Sequence, residues 1–200
     1  METRELAVTG AFAFTPDAFP DDRGVFLSPY LDSVFVEAVG HPLFPVEQIS
    51  YSVSRRGVIR GVHYSATPPG SAKLVHCPHG RVLDMVVDVR VGSPTFGRHD
   101  TVVLDDRDRR AVYFPIGVGH LFVALDEDSI VSYTLSREYV PTGELALSPF
   151  DPVLGLPIPD GIELVQSERD RTAPTLDEAR AAGLLPEFRT CVEIEASFLR

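Results

Sequence analysis

Breakers such as Pro68-Pro69-Gly70, Pro78-His79-Gly80, Gly92-Ser93-Pro94 and Pro141-Thr142-Gly143 cut the chain into short segments rich in Val, Ile, Phe and Tyr. They recur roughly every ten residues, a spacing that admits strands more readily than helices and points to a β-sandwich or barrel. The expected strands are Glu5–Phe14, Gly24–Tyr30, Glu47–Ser54, Val58–His63, Ala72–Cys77, Arg81–Arg90, His99–Leu104, Ala111–Phe114, His120–Leu125 and Ile130–Ser136. Val86, Val87 and Val89 mark Arg81–Arg90 as buried on both faces. Two short helices are expected beside them. Leu31, Val34, Phe35 and Ala38 share a helical face that Gly40 ends, and Thr175 with Glu178 has capping-box spacing before a stop at Gly183. The proline-rich stretch 137–175 reads as an irregular segment wrapping the body. The sum is one all-β domain over residues 1–200, a sandwich with a few short helices. A jelly roll is its natural closed form, because it protects strand edges.

Apolar residues make up 44% of the chain, enough for one substantial core. The formal net charge of −11 argues against binding nucleic acid or an anionic membrane surface. No apolar run is long enough to cross a bilayer, and METRELAVTG lacks the basic start of a secretory leader. Cys77 and Cys191 match no metal or redox spacing, so a reduced, cytoplasmic protein is expected.

The chemistry concentrates in GVIRGVHYSATPPGSAKLVHCPHGRVLDMVVDVR at 57–90. Lys73 is the only lysine among 18 Lys and Arg residues, a compact titratable charge where the chain otherwise uses broad guanidinium groups. His63 lies on the neighbouring expected strand and suits proton abstraction near neutral pH. A carboxylate such as Asp170 could fix its tautomer, Lys73 could stabilise an enolate oxygen, and Tyr133 could return a proton. Those are the parts needed to invert a stereocentre beside a ketone. Strict alternation puts Arg60 and His63 on opposite faces, so they share a pocket only if Gly61 permits a bulge. Each residue also has a plain structural reading. A lone strand histidine is more often a satisfied residue than a base, Tyr133 could simply pack between Val131 and Leu135, and Asp170 sits in a charged SERDR loop. Arg107, Asp108, Arg109 and Arg110 read as an exposed turn. His63, His76 and His120 form no H-x-H pair and have no matching Glu, so no metal is expected.

These residues fall into longer motifs: DRGVF at 22–26, RGVIRGVHYS at 56–65, GSPTFG at 92–97, FPIGVGHLF at 114–122, SYTLSREYVP at 132–141, DPVLGLP at 151–157 and SERD at 167–170. Together they resemble the dTDP-4-dehydrorhamnose 3,5-epimerase family, metal-independent nucleotide-sugar epimerases of the cupin (jelly-roll) superfamily. The resemblance implies His63 as catalytic base with Asp170 as its partner, Tyr133 as proton donor and Lys73 beside the enolate oxygen. It implies Arg60 near the substrate diphosphate, and Gln48, His120, Tyr139 and Arg169 at other substrate-binding positions. Arg23 and Phe26 would reach the substrate of a neighbouring subunit in a homodimer that exchanges N-terminal strands. The implied substrate is a dTDP-linked 4-keto-6-deoxy hexose, inverted at C5, C3 or both, with no cofactor.

The chain departs from that pattern at several sugar-contact positions. His63-Tyr64-Ser65 stands where the family usually has H-Y-Q, Tyr133-Thr134 where it has Tyr-Lys, and Ser50 near a usual Asn. Phe150 and Ile158 stand near its tryptophans. A modified deoxy or amino-deoxy sugar, of the kind that decorates secondary metabolites, is therefore implied. The alternatives are a 3,4-ketoisomerase, a non-catalytic sugar-nucleotide-binding cupin and a metal-dependent cupin oxygenase.

Overall fold

The computed structural model describes residues 1–199. Two antiparallel sheets form a sandwich of the expected cupin, jelly-roll kind. The six-stranded sheet has the order β1 (Glu2–Glu5), β2 (Phe12–Thr15), β10 (Ala111–Phe114), β7 (Lys73–His79), β12 (Ser129–Leu135) and β5 (Gln48–Ser54). The five-stranded sheet runs β13 (Glu144–Ala146), β6 (Ile59–Ser65), β11 (Val118–Ala124), β8 (Arg81–Asp88) and β9 (His99–Asp105). Val75, Val112, Phe114 and Val131 of one sheet meet Val82, Val86, Leu104 and Phe122 of the other in the central core.

Both outer faces are partly covered, which explains why Arg81–Arg90 lacks simple alternation. Met85 and Val87 on β8 face outward, yet they lie under Leu147, Leu154 and Leu185 of the C-terminal half. Helix α1 (Asp32–Val39) and helix α4 (Phe188–Glu195) cover the other sheet through Phe35 and Cys191, which pack with Phe14, Leu74 and Tyr113. Helix α1 ends at Gly40 in the left-handed region, and helix α3 (Leu176–Ala181) begins with the Thr175–Glu178 capping box, both as expected.

Three expectations are corrected. The strand expected over Glu5–Phe14 is two strands, β1 and β2, and the chain reverses between them near Gly10, whose φ of 82° favours glycine. The stretch expected as Gly24–Tyr30 is the second half of a hairpin, β3 (Ala18–Asp21) with β4 (Gly24–Leu27), which pairs with neither sheet and is exposed almost throughout. Residues 137–175 are irregular for most of their length but hold β13, which pairs with β6, and the short helix α2 (Glu168–Arg171). No described helix is long and apolar enough to cross a membrane.

Candidate active site

β5 reverses the usual binary pattern. Its outward residues Ile49, Tyr51 and Val53 are apolar and exposed, while Gln48, Ser50 and Ser52 turn polar groups inward. That inward face is one wall of a cavity of about 360 Å³ inside one end of the sandwich. Polar residues facing inward on a strand imply a site where a hydrophobic core would otherwise sit.

His63 reaches this cavity through a bulge. In the pairing of β6 with β11, His63 lies opposite His120 and Arg60 opposite Phe122, so three steps on β6 match two on β11. Gly61 supplies the needed geometry, with φ of 117°; a Cβ there would sit 2.3 Å from the His120 carbonyl oxygen. The extra residue brings Arg60 and His63 to the same cavity, as a bulge at Gly61 would require.

The Nε2 of His63 is 2.7 Å from Asp170 Oδ1. The imidazole is 30% exposed while the carboxylate is 3% exposed. The pair therefore has an open end and a closed end. The carboxylate fixes the proton on Nε2 and leaves Nδ1 as the basic nitrogen. Burial alone would push the Asp170 carboxyl up. The His63 ring, the Ser167 hydroxyl and the Gly61 amide outweigh it and hold the group below the usual carboxylate range. Asp170 is thus neither solvated nor in a loop, as its charged SERDR context suggested: it lies in helix α2, N-capped by Ser167, whose hydroxyl accepts from the Asp170 amide at 3.1 Å.

Lys73 and Tyr133 enter from the opposite sheet. Lys73 is 8% exposed. Burial pushes its ammonium down, Glu144 raises it and Arg169 lowers it, with a net shift below the ordinary lysine value. The Tyr133 hydroxyl is 3.0 Å from Ser52 Oγ. Burial pushes this phenol well up, against the Ser52 hydrogen bond, so it holds its proton. A half-open imidazole faces a protonated phenol across the cavity, with the ammonium on the phenol's side.

Gln48, His120 and Tyr139 also line the cavity. The Gln48 side chain is pinned at both ends: Nε2 donates to Ser50 Oγ at 2.6 Å, and Oε1 accepts from the Tyr139 amide at 2.8 Å. Arg60 Nε donates to Ser54 Oγ at 3.2 Å. Arg169 lies instead in an adjoining cavity of about 290 Å³ behind the imidazole, together with Asp170; Arg60 and His63 border both spaces. Arg23 and Phe26 are not at this chain's cavity. They sit on the β3–β4 hairpin, where Arg23 pairs with Asp21 and Phe26 is 70% exposed. His76 is outside the cavity, and no group of three potential metal ligands occurs among the described residues.

Sequence reasoning missed Asp84, whose Oδ1 lies 2.6 Å from His120 Nε2, as well as Ser52 and Glu144. For Ser52 the signal was present, because Gln48, Ser50, Ser52 and Ser54 alternate with Ile49, Tyr51 and Val53. Nothing local marks Asp84 or Glu144, which matter only through strand register.

The family model described as dTDP-4-dehydrorhamnose 3,5-epimerase matches residues 5–178. The chain belongs to this family. A dTDP-4-dehydrorhamnose 3,5-epimerase of Mycolicibacterium smegmatis is 49% identical over 96% of the chain and 94% of its own length. The rmlC epimerase structure from Mycobacterium tuberculosis superposes with a TM-score of 0.94 at 44% identity, covering 100% of both chains. ChmJ, a 3'-monoepimerase from Streptomyces bikiniensis solved in complex with dTDP-quinovose, gives a TM-score of 0.90 at 42% identity, covering 96% of this chain and 98% of its own.

Proposed function

We propose that this family member is an isomerase that epimerises a dTDP-linked 4-keto-6-deoxy hexose, with His63 as base and Tyr133 as acid. The observation that carries this is the origin of the two groups on facing sheets around one cavity. Inversion needs exactly one proton removed from one face of a carbon and one returned to the other, which two opposed walls allow.

The C3 and C5 hydrogens flank the C4 ketone and are acidic. His63 Nδ1 takes one, and Asp170 stabilises the imidazolium formed. The ketone oxygen becomes an enolate oxygen beside the Lys73 ammonium. Tyr133 then delivers its proton from the other side. Arg60 and Arg169 offer guanidinium groups to the diphosphate, which reconciles an anionic ligand with an acidic chain. The related proteins include both a 3,5-epimerase and a 3'-monoepimerase, so the carbon inverted is decided by measurement.

The dimeric reading is supported by the exposed Ile49, Tyr51 and Val53 on edge strand β5 and by Phe19 and Phe26 on the projecting hairpin. A second copy would cover them, and the hairpin would bring Arg23 and Phe26 to its partner's cavity.

Turnover of a dTDP-4-keto-6-deoxy sugar in deuterium oxide, followed by proton NMR, tests the assignment. Label at C3, C5 or both reports which carbon is inverted. Tyr133→Phe should retain exchange at the reacting carbon but lose inversion, because deprotonation by His63 survives. Epimerisation by this variant at the wild-type rate would contradict the role given to Tyr133.

A further inference from the structure

Lys73 is the cation of the cavity with no hydrogen-bond or ion-pair partner among the described residues, whereas Arg60 is held by Ser54 and Arg137 by Glu47. It pairs in the sheet with Phe114 of β10 and Leu135 of β12, neither of which can answer its charge. From the other sheet, β13 projects Glu144 into the same cavity. The Glu144 carboxylate is not free to wander, because Ser65 Oγ donates to its Oε1 at 2.7 Å. Glu144 and Ser65 are partners in the β13–β6 ladder, so backbone and side chains agree on the placement. Ser65 is also where the chain departs from the glutamine its family resemblance leads one to expect.

We propose that Glu144, fixed by Ser65, is a positioning residue that acts through Lys73 as its counter-ion and keeps the buried ammonium charged. The proposal rests on the reading of Lys73 as the group beside the enolate oxygen. An amine that lost its proton there would offer the oxygen a neutral hydrogen bond in place of a positive charge. Burial favours that loss, and Arg169 on helix α2 adds to it; Glu144 is what opposes both. The remaining charged or titratable groups of the cavity are Arg60 and His63 on β6, His120 on β11 and Tyr133 on β12. Arg137, Glu138 and Tyr139 follow β12. Of these, Glu138 is the other anion, and it lies in the exposed segment beyond the strand.

The solitary lysine makes the test direct. Protein labelled at lysine Cε and free of tag lysines gives one side-chain resonance, whose pH titration reads Lys73 alone. Glu144→Gln removes the charge but keeps an acceptor for Ser65. Its titration midpoint should fall by about one pH unit or more, and the basic limb of kcat/KM should move down with it. Ser65→Ala, which loosens the carboxylate without discharging it, should give a smaller fall in the same direction. An unchanged midpoint in Glu144→Gln overturns the proposal, as does a rise in KM with the basic limb left in place. Wild-type turnover by Lys73→Met would instead overturn the catalytic reading beneath it, a failure the NMR titration distinguishes from that of the counter-ion role.

Discussion

Two histidine–aspartate pairs lie side by side in the five-stranded sheet, and they differ in access. His63 and His120 face each other across the β6–β11 ladder, and each engages a carboxylate through Nε2, at 2.7 Å and 2.6 Å. His63 is 30% exposed, and its carboxylate comes from helix α2, outside the sheet. His120 is 6% exposed, and its carboxylate comes from β8, the next strand. Phe114 lies 4.4 Å from the His120 ring and Phe122 flanks it. The bulge at Gly61 turns one imidazole toward the cavity, while the regular β11–β8 register keeps the other in the wall. The same two residue types make a half-open pair in one place and a closed pair in the other, and local backbone geometry decides which.

The largest expected contrast is between the two histidine deletions. His63→Ala should lose all solvent exchange into substrate, a fall of at least about 10³-fold given what a positioned general base contributes. His120→Ala should leave exchange measurable. Equal loss in both, in folded protein, would erase the distinction.

Stability should invert the ranking. Asp84→Ala leaves the buried His120 Nε2 without its partner and should cost about 1–3 kcal/mol, read as a lowered midpoint in urea. Asp170→Asn should cost less, because its histidine opens to water. Its effect on turnover should be larger, about 10- to 100-fold, as for other carboxylates that orient an imidazole.

The smallest effect is in pH dependence. The folded-state pKa of Asp170 is depressed, so its contribution to stability is present above the ordinary carboxylate pKa and fades as pH falls through the lower folded value. Asp170→Asn should therefore flatten the acid side of the stability curve. An acid limb as steep as in the wild type would detach Asp170 from His63.

How much was legible follows the range of the interactions involved. Ten strand-like segments and the two caps are local signals, and most bounds fall within two residues of those observed, as for β5 and β10. The β3 strand was missed because Pro20 interrupts it and no face is buried. Helix α4 was missed because neither end carries a capping signal: Glu187 makes no side-chain cap hydrogen bond, and Ala196 stands where a glycine stop would be read. His63, Lys73, Tyr133 and Asp170 could be nominated from chemistry, but their meeting could not be read, since Asp170 lies 107 residues from His63. Asp84 and Glu144 depend on which strands become neighbours, which short apolar segments do not specify one by one.

A crystal structure with a dTDP-linked 4-keto-6-deoxy hexose, or an unreactive analogue, puts the opposed-wall arrangement at risk outright. The sugar ring should lie between the two sheets, with C3 or C5 roughly 3–3.5 Å from His63 Nδ1 and the Tyr133 hydroxyl on the other face of that carbon. A ring bound outside this cavity, or one that presents the same face to both groups, would contradict inversion by His63 and Tyr133.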